Sequence, residues 1–182
     1  MRTTVTGLFL ASALALGSTT ASWGVGTNLP VSAELGTNIA REQFPLTVRM
    51  NRATLFLTRP TLRYIDHKRI ALEANFQAYD HRPEEGVAIS ETGRASFSGE
   101  LAYEADTRKI LLHGAKIDEL VFDRDSAASR SLSQEIRATW SARVTDPLRA
   151  DLPNHPYLIP FRENIHDISY DGQQITISVR YQ

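Results

Sequence analysis

The hydrophobic residues of the chain follow two periods, one typical of a helix and one typical of strands. Over residues 126–144 apolar side chains recur at every fourth position: Ala128, Leu132, Ile136, Trp140 and Val144. At roughly 100° per residue, this spacing covers a broad arc of one helix surface. Asp123, Asp125 and Ser126 supply acceptor oxygens and negative charge where the helix begins. Asp146-Pro147 ends it, because a residue before proline is disfavoured in the α region. The pattern predicts one long helix in the C-terminal half.

Most of the remaining chain alternates apolar and polar side chains, which is typical of strands with one buried face. The predicted strands cover residues 46–58, 70–78, 93–104 and 110–122, followed by a C-terminal hairpin over residues 168–181. Pro60 predicts an edge or a bulge after the first strand, and broken alternation at Asp118-Glu119 predicts a second bulge. Asp171-Gly172 predicts the hairpin turn, since glycine tolerates the positive φ that such turns require.

These elements predict an α+β fold, a curved antiparallel sheet packed around one long C-terminal-half helix. A short N-terminal helix begins after Ser32 and ends before Phe44-Pro45, where proline prevents its continuation. A chain of 182 residues is the size of one domain. We therefore expect a single domain over residues 32–182, preceded by a flexible, Gly-rich lead-in over residues 22–31.

The N-terminus has the pattern of a secretory signal peptide over residues 1–21, with Arg2, an apolar stretch over residues 5–16 and then small residues. Cleavage is expected after Ala21, and the apolar stretch is short for a transmembrane helix; an uncleaved anchor is the alternative. The chain has no cysteine, which excludes disulfides, thiolate catalysis and lipid attachment through cysteine. We predict a soluble, exported, periplasmic protein with no stable membrane span after processing.

Charge and motifs argue against several classes of function. The 20 basic and 21 acidic residues give no electrostatic footprint for nucleic acid. The five histidines share no ligand spacing, and Glu163 with His166 offers at most two ligands, so we expect no metal and no cofactor. There is no nucleophile elbow, phosphate-binding loop or dinucleotide fingerprint. A non-catalytic protein is predicted, with a hydrolase of unrecognised site as a weaker alternative.

Four segments of the chain resemble the YceB-like family of bacterial envelope proteins, a family of unassigned function whose members are often lipoproteins. They are residues 35–45, residues 55–60, residues 99–103 and the helix that ends before Pro147. The resemblance extends over residues 32–182. It implies a helix held in a strongly curved antiparallel sheet, similar to tubular lipid-binding modules, with an apolar groove between them. The lipid-modified cysteine of the lipoprotein members is absent here, so outer-membrane attachment is not expected.

The leading hypothesis is a periplasmic protein that binds an apolar ligand, a lipid or acyl chain, in the groove between helix and sheet. The residues expected to contact that ligand are Phe56, Phe76, Phe97, Leu132, Ile136 and Trp140. The alternative is an interaction or scaffold module with an envelope protein as partner, in which the same side chains form an ordinary core. Packing at the helix–sheet interface discriminates between the two, because interior packing density leaves no space for a ligand.

Overall fold

The computed structural model describes residues 26–50, 52–81 and 89–181, so the predicted signal peptide lies outside the described residues. In chain order the elements are β1 Gly26–Val31, α1 Ala33–Arg41, β2 Leu46–Arg49, β3 Ala53–Tyr64, β4 Arg69–Asp80, β5 Ile89–Glu104, β6 Lys109–Phe122, α2 Ala127–Arg143, β7 Leu148–Asp151, a 3-10 helix Ile159–Asn164, β8 Ile165–Tyr170 and β9 Ile175–Arg180. Within these described ranges, no helix is both long enough and apolar enough to cross a bilayer.

The strands form two antiparallel sheets rather than one. Six strands lie in the order β2-β3-β4-β5-β6-β7 and curl into a half-barrel, while β1, β9 and β8 form a separate sheet with β9 at its centre. Among the residues that the structure describes, two α-helices and the 3-10 helix complete an α+β fold, and this class was predicted. The predicted long helix, α2, has 17 residues, which is moderately rather than exceptionally long for a globular protein.

The six-stranded sheet buries one face, which we call the inner face and which carries Leu55, Ala74, Phe76 and Ala95. Side chains alternate along a strand, so the residues between these point to the opposite, outer face. Two hydrophobic clusters cover the inner face. One lies under α2, and the other lies under α1 and the three-stranded sheet.

The cluster between the sheets is the larger one. Its buried members are Val31, Ile39, Ile70, Leu152, Leu158, Ile165, Ile168, Ile175, Ile177 and Val179. They come from the two ends of the chain and from the start of β4, so this core forms only when those distant segments meet. Tyr64 and Tyr170 pack at its margin with ring centroids 4.9 Å apart.

Residues 26–31 differ from the prediction of a flexible lead-in over residues 22–31. They form β1, which pairs with the whole of β9, from Gly26 opposite Arg180 to Val31 opposite Ile175. Val31 is only 2% exposed, and the pairing satisfies backbone groups that a free segment would leave to water. Hydrogen bonding and burial therefore override the Gly-rich composition. The rest of the predicted lead-in lies outside the described residues.

Both predicted bulges are present. The register of β3 against β4 shifts between Thr58 and Thr61, the position at which Pro60 interrupts β3. The register of β5 against β6 shifts between Ser96 and Phe97, where β6 passes from Glu119 to Ile117 and leaves Asp118 as the extra residue. Each bulge inserts one residue, which bends the strand and increases its twist. They therefore contribute to the curl of the six-stranded sheet.

The predicted turn at Asp171-Gly172 connects β8 to β9. Gly172 has a φ of 97°, and the Asp171 carboxylate accepts hydrogen bonds from the backbone N–H groups of Gln173 and Gln174, each at 2.9 Å. A β-carbon at Gly172 would lie 2.7 Å from the Cα of His67, in the turn between β3 and β4. Glycine is therefore required here both by its backbone conformation and by the close approach of a neighbouring turn.

We expect Gly172→Val to lower the free energy of unfolding by about 1–3 kcal/mol, because a β-branched residue is strained at positive φ. Urea denaturation of the two proteins measures the difference. Gln173→Val, one position along in the same exposed turn, is the matched control and should change stability far less. Equal midpoints for Gly172→Val and wild type would show that the turn has another conformation in solution.

Candidate functional site

Helix α2 is held across the inner face by contacts at both of its ends. Ser126 caps it in a capping box with Ser129, and the two hydroxyls each accept the other residue's backbone N–H at 2.9 Å. The Ser126 hydroxyl also donates to Glu91 of β5 at 2.7 Å. At the other end, Arg143 donates to the backbone carbonyl of Arg49 in β2 at 2.9 Å. Both ends of the helix are therefore tied to the six-stranded sheet.

The first part of α2 is packed into the sheet. Leu132 is 2% exposed and Ile136 is 4% exposed, and both belong to one cluster with Leu55, Leu57 and Phe76. The ring of Phe76 meets that of Phe122 edge to face at a centroid distance of 4.9 Å. This part of the interface has the burial of an ordinary protein core.

The stack of Trp140 on Phe97 marks the end of this packed region. The two ring centroids are 5.0 Å apart and the planes are inclined by 24°. The indole N–H of Trp140 is directed at the carbonyl oxygen of Ala115 in β6, at 3.4 Å. Both rings are half-buried. One side of the indole therefore faces the core while the rest of it is accessible from outside.

An open cleft of about 540 Å³ lies beyond Trp140, between the last turns of α2 and the middle of β6. Its apolar wall is formed by Ile117, Trp140 and Val144, together with Ala115. The Asp146 carboxylate accepts a hydrogen bond from the backbone N–H of Gly114 at 2.9 Å, which links the segment after α2 to β6. We call this space the Trp140 cleft.

The rim of the Trp140 cleft carries charge of both signs. Arg137, on the exposed side of α2, and Asp146 line it, and Lys116 at its edge pairs with Asp118 at 3.1 Å. An apolar wall with a charged rim suits a ligand that has an apolar body and a polar end. The volume lies in the range of small-molecule sites, about 300–1,000 Å³.

Five of the six residues predicted to contact a ligand lie on the inner face or on the helix that covers it. Phe76, Leu132 and Ile136 are buried in the core under α2, whereas Phe97 and Trp140 form the stack at its open end. Phe56 is the exception. It is 36% exposed on the outer face, where its ring meets Tyr79 edge to face at 5.6 Å. Leu55 and Leu57 point inward, so the residue between them must point outward.

Sequence reasoning missed most of the cleft wall. Val144 belongs to the apolar stripe of the helix, and Ile117 directly precedes the predicted bulge, so the pattern could have drawn attention to both. Lys116 and Arg137 carry no such signal, because exposed basic residues are common on any strand or helix. Their place at the rim becomes visible only once β6 and α2 are seen side by side.

The groups with shifted pKa values lie away from the Trp140 cleft. Burial raises the pKa of Tyr64, Tyr103 and Tyr170 above the ordinary value of tyrosine. Backbone N–H groups lower the pKa of Asp66 and of Asp171, and Lys109 lowers that of Asp151. These shifts belong to turns, a strand pair and the core between the sheets. In the described residues, no group of three or more His, Cys, Asp or Glu side chains is placed to hold a metal ion.

The lowered pKa of Asp171 predicts a pH-dependent contribution to stability. Its ionised form accepts the Gln174 and Gln173 N–H groups, so the folded pKa lies below the ordinary value of 3.8. The stabilisation is present above that value and is lost as pH falls through the lower, folded pKa. We expect Asp171→Ala to be less stable than wild type near neutral pH and the difference to shrink in acid. Denaturation curves over a pH series measure it, and a constant difference would contradict it.

The fold and cleft together define an α+β protein with a half-barrel sheet, a packed helix and an open apolar cleft beside that helix. No protein-family model matches the chain. No curated protein matches it either.

Proposed function

We propose that the protein is a non-catalytic envelope protein that binds the acyl chain of a lipid or other amphiphile in the Trp140 cleft. The observation that carries the proposal is the transition along α2 from a packed core at Ile136 to an open apolar cleft at Trp140. The resemblance to the YceB-like family supports the same class of ligand, because that resemblance implies a curved sheet similar to tubular lipid-binding modules. Export through the signal peptide would place the protein in the periplasm, and mature protein released by osmotic shock should begin at Ser22.

The acyl chain would lie along the indole of Trp140, between Ile117 and Val144. Burying an acyl chain there removes apolar surface from water, at about 25 cal/mol per Å². The polar end of the ligand would remain at the rim, near Arg137. Because α2 is already tied to β5 and β2, the cleft is largely preformed, which reduces the ordering cost of binding.

Tryptophan fluorescence tests this placement directly. The chain has two tryptophans, Trp23 and Trp140, so Trp23→Phe leaves Trp140 as the only one. Titration with a fatty acid brominated along its chain should quench the remaining emission, because bromine quenches indole at contact distance. The same fatty acid without bromine is the control for indirect effects and should not quench. Saturable quenching by the brominated form is the expected result.

A matched pair of variants then localises the ligand. Val144→Asp places a charge in the cleft wall, whereas Phe56→Asp places one on the outer face, at a half-exposed aromatic residue. In the Trp23→Phe background, we expect Val144→Asp to abolish quenching and Phe56→Asp to leave it unchanged. Quenching that survives Val144→Asp, or no saturable quenching at all, would contradict binding in this cleft.

The packing of Leu132 and Ile136 favours a second candidate, an envelope interaction module without a ligand. These side chains fill the space that the predicted groove would have occupied. In that case the protein should capture the same envelope partner before and after delipidation, and brominated fatty acid should leave Trp140 emission unchanged. Capture that depends on a bound lipid would instead favour the acyl-binding function.

A further inference from the structure

A second cleft, of about 230 Å³, opens on the outer face of the six-stranded sheet at the bulge in β3. Three arginines line it, Arg59 and Arg63 from β3 and Arg94 from β5. Thr61, Asn75 and Ser96 add polar side chains to the same wall. This arginine cleft lies on the face of the sheet opposite α2, so it is separate from the site proposed for the acyl chain.

Arg59 has an unusual backbone conformation for its residue type. Its φ is 51°, in the left-handed region where glycine is favoured and long side chains are strained. The bulge places the residue there, since β3 gains one residue between Thr58 and Thr61. The chain thus holds a long cationic side chain at a position that glycine would occupy with less strain. Strain of this kind is found preferentially at binding sites.

The charges of the cleft leave two guanidinium groups available. Arg63 is paired with Glu73 at 2.6 Å. Within the part of the chain that the structure describes, the side chains of Arg59 and Arg94 have neither an ion pair nor a hydrogen bond. Glu119 is the second carboxylate that lines the cleft. Three arginines therefore face two carboxylates, and one of these, Glu73, is already paired with Arg63.

Two free guanidinium groups and several neutral hydrogen-bonding groups are a suitable set of contacts for a tetrahedral oxyanion. Each guanidinium presents five donors in a planar fork that matches the spacing of phosphate oxygens. The Asn75 amide and the hydroxyls of Thr61 and Ser96 can donate to the oxygens that remain. A phosphate monoester also carries close to two negative charges at neutral pH, and a carboxylate carries one.

We propose that the arginine cleft binds a phosphate group, held by Arg59 and Arg94 and further hydrogen-bonded by the polar side chains around them. The phosphate belongs either to a small soluble phosphate monoester or to the monoester head group of phosphatidic acid. Both sources present the same oxygens to the same guanidinium groups, and binding to soluble phosphates or to vesicles distinguishes them. The proposal does not depend on acyl-chain binding, since it uses the other face of the sheet.

The test compares two arginines that share a backbone conformation. Arg108 also has a positive φ, 55°, and lies in the turn between β5 and β6, where it pairs with Glu163. Arg59→Gly and Arg108→Gly therefore remove the same charge and relieve the same kind of strain. Both variants should fold with melting temperatures close to that of wild type, because relief of the strained φ offsets the added flexibility of glycine and an exposed ion pair contributes little. Arg94→Gln removes the second guanidinium without changing the backbone.

Binding of inorganic phosphate and of glycerol phosphate is measured at constant ionic strength from the NMR shifts of the arginine Nε–H groups. Binding to a phospholipid is measured with vesicles of phosphatidylcholine, prepared with and without phosphatidic acid. We expect Arg59→Gly and Arg94→Gln each to weaken binding about tenfold or more, as loss of a charge-assisted hydrogen bond predicts, and Arg108→Gly to leave it unchanged. Binding of the soluble phosphates assigns the small monoester, and binding only of phosphatidic acid vesicles assigns the head group. Wild-type protein that binds neither, or equal weakening by Arg108→Gly, overturns the proposal.

Discussion

Ile136→Ala is expected to lower the free energy of unfolding by about 2–5 kcal/mol, the range for large-to-small substitutions in a packed core. Ile136 is 4% exposed and lies in the cluster with Leu55, Leu57 and Phe76. The substitution removes buried methyl and methylene groups and leaves a cavity that a helix fixed at both ends cannot close. Urea denaturation, monitored by circular dichroism, measures the change.

Two comparisons make this result decisive. Gln134→Ala, on the exposed side of the same helix, should stay within about 0.5 kcal/mol of wild type. Trp140→Ser should cost stability through the lost stack with Phe97. In calorimetric titration with the fatty acid, which does not need the Trp140 emission, it should also abolish acyl-chain binding, whereas Ile136→Ala should leave that binding intact. If Ile136→Ala cost no more than Gln134→Ala, the interface under α2 would not be a packed core, and the separation of core from cleft would fail.

The local elements were predictable because their signals are carried by neighbouring residues. The four-residue spacing of apolar side chains located α2, and Ser126 is its capping residue, as expected. Asp123 and Asp125 do not cap the helix through the backbone; Asp123 accepts a hydrogen bond from Thr92, and Asp125 pairs with Arg130. The turn at Gly172 and the bulge at Pro60 each depend on a residue with a strong backbone preference, whereas the bulge at Asp118 was marked by a break in the alternation of β6.

The pairing of distant segments could not be predicted from the same patterns. Alternation identifies a strand but does not name its neighbour, so nothing local shows that β1 pairs with β9 from the other end of the chain. The division into two sheets follows from that pairing. The short strand β7, in a passage that looked irregular because of its prolines, exists because it adds to the edge of β6 opposite Leu112 and Lys109.

The candidate site was predictable in part for the same reason. Alternation places Phe76 and Phe97 on the buried face, and it also places Phe56 on the other face, between Leu55 and Leu57. Which turn of α2 packs and which borders open space depends on where β6 lies beside it. That position is set by contacts such as Trp140 with Ala115 and Asp146 with Gly114, and these join segments whose proximity the sequence does not show.

The two proposed sites, one for an acyl chain and one for a phosphate group, lie on opposite faces of the six-stranded sheet. The inner face commits most of its apolar side chains to the core, and the Trp140 cleft opens at the end of α2. The outer face is polar around the β3 bulge and offers guanidinium groups rather than apolar surface. A phospholipid has both kinds of group, but the sites lie on opposite faces, so one small molecule would not occupy both. Separate loss of acyl and phosphate binding in the two sets of variants is therefore expected.

Gly93→Ala is expected to destabilise the protein by about 3 kcal/mol, at the upper end of the range for overpacking. Gly93 lies on the inner face between Phe76 of β4 and Phe122 of β6, and the two rings meet above it. An added β-carbon would lie 2.6 Å from the ring of Phe76 and 2.1 Å from the backbone oxygen of Val121. The ring could rotate away only by opening the core under α2, and the carbonyl could move only by distorting the pairing of β5 with β6.

Gly26→Ala is the matched control, since its β-carbon would meet only the Val179 oxygen at 3.4 Å, which is an ordinary contact. This substitution should change the free energy of unfolding by less than about 0.5 kcal/mol. Chemical denaturation of both variants measures the difference, and equal stabilities would mean that the aromatic rings do not close over Gly93.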